Sequence, residues 1–95
     1  MHTRVVRFTG VSADRIEALR SRIEADGGPP EGVSFASMEV LFDEGSGTAI
    51  VLQRFETTED MEAAARVLGA MDQTETPGTR ASVDTCETKI SIKPS

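Results

Sequence analysis

Arg7, Glu39 and Gln53 carry the functional groups that would hold a polar ligand: a guanidinium, a carboxylate and a carboxamide, each within a stretch rich in strand-forming residues. Phe35 and Phe55 lie in phase with Glu39 and Gln53 on an extended chain, where alternate side chains share a face. They would wall such a site with apolar surface, the usual composition of a ligand pocket. Cys86 is a candidate nucleophile. A reactive thiolate needs a cation or a helix start beside it, whereas its sequence neighbours are Asp84 and Glu87, so it reads as a plain strand cysteine. His2 has the chemistry of a base or a metal ligand. A histidine so near the N-terminus is more simply solvated, and one imidazole leaves any metal dependent on carboxylates, so no metal is expected. The stretch Thr76-Pro77-Gly78-Thr79-Arg80, with Asp72 ahead of it, has the makings of an anion cup. It follows a helix C-terminus, the wrong end of the dipole for an anion, and reads as a turn into a strand. Glu59 and Asp60 suit a helix start and need no metal. There is no Ser-His-Asp set, glycine-rich nucleotide fingerprint or paired-cysteine motif.

The elements that must position these residues follow from hydrophobic rhythm. Alternating apolar residues predict strands over Thr3–Thr9, Val33–Phe42, Thr48–Phe55 and Arg80–Ile92. Apolar residues three and four apart predict helices over Ala13–Ala25 (Ile16, Leu19, Ile23) and Glu59–Met71 (Met61, Ala64, Ala65, Leu68, Met71). Ser12 is the expected N-cap of the first helix. Gly27-Gly28 and Pro29-Pro30 end it, by supplying positive φ and by blocking continuation. The order is β-α-β-β-α-β, the split βαβ or ferredoxin-like arrangement.

A turn at Asp43-Glu44-Gly45-Ser46-Gly47 joins the middle strands. A five-residue loop there pairs Phe42 with Thr48, Val40 with Ile50 and Met38 with Leu52. Met38, Val40, Phe42, Ile50 and Leu52 would then face the helices. The opposite, mixed face would carry Val33, Phe35, Ser37, Glu39, Leu41, Ala49, Val51, Gln53 and Phe55. If Val6 and Phe8 face the helices, Arg7 joins Glu39 and Gln53 on that mixed face. An Arg–Glu pair there would orient a polar ligand or, the favoured reading, form an interfacial salt bridge that fixes the geometry of a dimer.

The chain has 95 residues, 38% of them hydrophobic, which suits one domain with a modest core over 1–95. Sixteen acidic against ten basic residues give a net charge of −6. The basic residues are scattered, so nucleic acid and anionic membrane are poor partners. A single cysteine rules out an intramolecular disulfide. With no apolar leader or membrane-length run, a cytoplasmic location is expected.

Two helices cover one face of a four-stranded sheet, and the other face here is too apolar for water. A second copy packed sheet to sheet is the economical cover. On the element order, the start Val5-Val6-Arg7-Phe8, the junction Phe55-Glu56-Thr57-Thr58-Glu59-Asp60 and the last strand Val83-Asp84-Thr85-Cys86-Glu87, the chain resembles the dimeric α/β-barrel superfamily, especially small antibiotic-biosynthesis-monooxygenase-like proteins. The resemblance covers nearly the whole chain and identifies architecture better than activity. It implies a homodimer whose ligands lie between sheet and helices or within the barrel. Cofactor-independent oxygenases of that family hold aromatic substrates with Asn, Trp or Tyr, and the haem-degrading relatives ligate iron through His. This sequence has no Trp, Tyr or Asn, and its only His is His2. No family catalytic residue carries over by position, and no cofactor is expected. The leading expectation is binding of a small apolar molecule, with Arg7, Phe35, Glu39, Gln53 and Phe55 as the ligand-binding residues. The alternatives are a cofactor-independent monooxygenase or isomerase of the same superfamily, and a non-catalytic interaction or regulatory module.

Overall fold

The computed structural model describes residues 1–27, 32–69 and 76–94. Gly28, Pro29-Pro30, Met71 and Asp72 therefore lie outside the described residues. The elements are β1 (His2–Thr9), α1 (Ala13–Asp26), β2 (Ser37–Asp43), β3 (Thr48–Phe55), α2 (Thr58–Gly69) and β4 (Thr79–Glu87). The strands form one antiparallel sheet in the order β2-β3-β1-β4. This is the ferredoxin-like α+β arrangement that the rhythm predicts. None of the described helices is long and apolar enough to cross a membrane.

The helix ends obey local chemistry. Ser12 is extended, and its Oγ accepts the Arg15 N–H at 3.2 Å, which satisfies one of the free donors at the start of α1. Gly27 closes that helix at φ +70°, its N–H donating to the Ile23 carbonyl at 3.2 Å. Thr57 caps α2 in the same manner, its Oγ1 accepting the Asp60 N–H at 3.1 Å. Ile16 packs against the sheet, while Ile23, farther along α1, is 37% exposed.

The hairpin departs from the expected register by one residue. Asp43 pairs with Thr48, Phe42 with Ala49, Val40 with Val51 and Met38 with Gln53. The loop is therefore Glu44–Gly47. The Asp43 carboxylate explains the shift: it stays in the strand and its Oδ1 accepts the Gly45 N–H at 3.1 Å, bracing a shorter turn. Gly47 closes the loop at φ +66°, where its carbonyl receives the Val11 N–H at 2.9 Å. An added Cβ at Gly47 would lie 3.3 Å from the Val11 carbonyl oxygen, so glycine serves both conformation and packing.

A one-residue slip turns every side chain of one strand over. Ala49, Val51, Gln53 and Phe55 of β3 face the helices together with Met38, Val40 and Phe42 of β2. Ile50 and Leu52, expected in the core, lie on the open face with Glu39 and Leu41. In β1, Val6 and Phe8 are buried and Arg7 is exposed, which meets the condition for placing Arg7 on the open face. Two further boundaries differ. β2 begins at Ser37 and not Val33, because Val33 and Phe35 turn into a cluster under α2. β4 ends at Glu87: Thr88 donates a last bond to the Met1 carbonyl at 3.0 Å, and Ile90 and Ile92 beyond it are exposed.

The core consists of two clusters on the helix side of the sheet. One joins Val6, Phe8, Val11, Ala49 and Val51, with Ile16, Met38, Val40 and Phe42 packed against it. The other joins Val33, Phe55 and Ala64, with Phe35, Met61, Val67 and Leu68 around it.

Candidate functional site

A buried polar pair, Gln53 on β3 and Arg4 on β1, stands between the two apolar clusters. Across the helix side of the sheet, Met38, Gln53, Arg4 and Thr85 stand opposite one another on β2, β3, β1 and β4. On one side of that row lies the line Val40–Val51–Val6–Val83. On the other side Phe55 pairs with His2, and His2 with Glu87. Arg4 is 4% exposed and Gln53 is 6% exposed. The Arg4 Nη1 donates to Gln53 Oε1 at 2.9 Å. The Arg4 Nε is buried and has no hydrogen-bond partner among the described residues.

A buried guanidinium held, among the described residues, by one neutral acceptor is an expensive arrangement. Burial of a charge is ordinarily compensated by an opposite charge and by filling its remaining donors. Here burial lowers the pKa of Arg4 from its ordinary value, and the neighbouring Arg80 charge, of the same sign, pushes in the same direction. Gln53 satisfies one donor and supplies no negative charge. His2, two residues along the same face of β1, has its Nε2 3.2 Å from Thr58 Oγ1 at the start of α2.

The five residues expected to line one site divide between the two faces. Gln53 and Phe55 are on the helix side, both buried, and not on the mixed face. Phe35 joins them there, half-buried ahead of β2, its ring centroid 5.6 Å from that of Phe55 at an interplanar angle of 44°. Such tilted aromatic contacts are favourable beyond their area. Arg7 and Glu39 lie on the open face. Arg7 stands opposite Ile50 and Ser82, and the ion pair of Glu39 is with Arg54, through Oε1 and Nη1. That pair is partly exposed, so its own contribution is small. Cys86 is exposed on the edge strand β4. Among the described residues no three His, Cys, Asp or Glu side chains converge as metal ligands.

Arg4 is the residue the sequence reading passed over, although its signal was there. In Thr3-Arg4-Val5-Val6-Arg7-Phe8, Arg4 shares its parity with Val6 and Phe8. If those two face the helices, Arg4 must as well, and a charge in phase with core residues marks a buried polar site.

The pair has a measurable cost. Gln53→Leu should lower the unfolding free energy by about 1–3 kcal/mol, since it removes the hydrogen-bond acceptor of a buried charge. The double variant Arg4→Met with Gln53→Leu should recover that loss and reach wild-type stability or exceed it, by up to about 1–4 kcal/mol. Urea unfolding measures both. A double variant less stable than Gln53→Leu alone would mean that the pair holds the fold together.

Comparison of this chain with family models, with curated protein sequences and with solved structures finds no match.

Proposed function

We propose that this chain binds a small, largely apolar molecule between its sheet and its helices, in the manner of the dimeric α/β-barrel proteins it resembles. The observation that carries this reading is the Arg4–Gln53 pair set between two apolar clusters. Apolar walls with a few fixed polar groups are the common form of a small-molecule site. Phe35, Phe55, Met61 and Ala64 supply the apolar side, and Arg4 and Gln53 supply the polar handle.

A neutral aromatic probe tests it. Benzyl alcohol titrated into methyl-labelled protein should shift the NMR signals of Val33, Met61 and Ala64. Shifts confined to Val5, Ile50 and Leu52 on the open face, or none at all, would defeat the reading.

A homodimer formed through the open sheet face belongs to the same proposal, and a specific pattern supports it. Val5, Ile50, Leu52 and Leu41 make an apolar centre there, with Leu41 47% exposed. Arg7, Arg54, Glu39 and Asp84 are distributed around it, two of each sign on a chain whose net charge is −6. An apolar centre with a mixed-charge rim is the anatomy of a specific interface, and a face carrying both signs can complement a second copy of itself.

A further inference from the structure

We infer that the group recognised by Arg4 is the carboxylate of an apolar monocarboxylic acid. The inference rests on the binding reading above and specifies its ligand class.

Gln53 occupies Nη1 of the guanidinium and leaves the Nε donor buried and unpaired among the described residues. A guanidinium presents its donors as a planar fork, and the edge that includes Nε matches the two oxygens of a carboxylate. The charge balance agrees. The site holds one buried positive charge, the neighbouring charge acting on it is the cation Arg80, and the acceptor already present is a neutral amide. A single anionic group therefore supplies what the site lacks, a counter-charge and an acceptor for Nε. A neutral carbonyl would fill the donor without neutralising the charge.

The rest of the ligand is constrained by the neighbours. Phe55 and Val6 are the helix-side residues next to Gln53 on β3 and next to Arg4 on β1, and both are almost fully buried. Surroundings of that kind favour an aromatic or aliphatic body over a sugar or a nucleotide. A phosphate dianion would bring a second negative charge and a third oxygen to a guanidinium whose buried unpaired donor is Nε.

The test uses benzoate, benzyl alcohol and inorganic phosphate with nitrogen-15-labelled protein, following the Arg4 Nε–Hε resonance, assigned by its loss in Arg4→Lys. Benzoate should move that resonance and bind about tenfold or more tighter than benzyl alcohol, as a charge-assisted pair of hydrogen bonds implies. Phosphate should bind more weakly than benzoate. Gln53→Glu places a carboxylate beside Arg4 within the chain. It should fold, and should weaken benzoate by about tenfold or more while leaving benzyl alcohol bound. Equal binding of benzoate and benzyl alcohol, with the Arg4 signal unmoved, would overturn the carboxylate class and leave the apolar-binding reading standing. Binding of neither would remove both. Tighter binding of phosphate, or full benzoate affinity in Gln53→Glu, would also overturn the inference.

Discussion

Replacing Phe55 by alanine should remove about 3–5 kcal/mol of unfolding free energy, the usual cost of deleting a buried ring and leaving a cavity. Phe55 is 0% exposed, and it joins Val33 and Ala64 in the cluster beneath α2, with Phe35 tilted against its ring. The stability of a small domain is about 5–15 kcal/mol, so the loss is a large part of the whole. Urea unfolding monitored by circular dichroism measures it. A change below about 0.5 kcal/mol, the range of surface substitutions, would place Phe55 on the mixed face where alternation with a five-residue loop would put it.

Adjacent residues of β3 should give opposite phenotypes when made acidic. Val51→Asp buries an uncompensated carboxylate among Val6, Phe8, Val11 and Ala49, where Val51 itself is 7% exposed. The cost is about 3–5 kcal/mol or more, and the chain should lose its cooperative fold. Leu52→Asp places the same charge on the open face. It should leave the circular dichroism unchanged and, for the dimer proposed through that face, lower the sedimentation mass from two chains to one, because the interface would have to bury the charge. An unfolded Leu52→Asp protein beside a folded, monomeric Val51→Asp protein would restore the five-residue loop and its faces.

The element order was legible in the sequence because its punctuation is strong: Ser12 and Gly27 bound the first helix and Gly45–Gly47 marks the hairpin. The β1 faces were legible because Val6 and Phe8 stand against Arg7. β3 was not, because both of its parities are apolar, Ala49, Val51 and Phe55 against Ile50 and Leu52. The turn separates them: its loop is one residue shorter than periodicity suggests, and a carboxylate–amide bond within Asp43-Glu44-Gly45 braces it. The register with the shorter loop places Gln53 and Phe55 on the helix side and not on the mixed face. The candidate site was thus half legible: Gln53, Phe35 and Phe55 were singled out together and do lie on one side of the sheet. Their cationic partner is Arg4 and not Arg7, and Glu39 belongs with Arg54 on the other face.

A crystal structure of the protein grown with benzoate would locate the ligand directly. The aromatic ring should lie on the helix side of the sheet, near Phe55, with its carboxylate on the Arg4 Nε and Gln53 still on Nη1. Benzoate seated on the open face beside Leu41 and Leu52, or an Arg4 guanidinium already paired with a carboxylate of the protein, would contradict the binding reading.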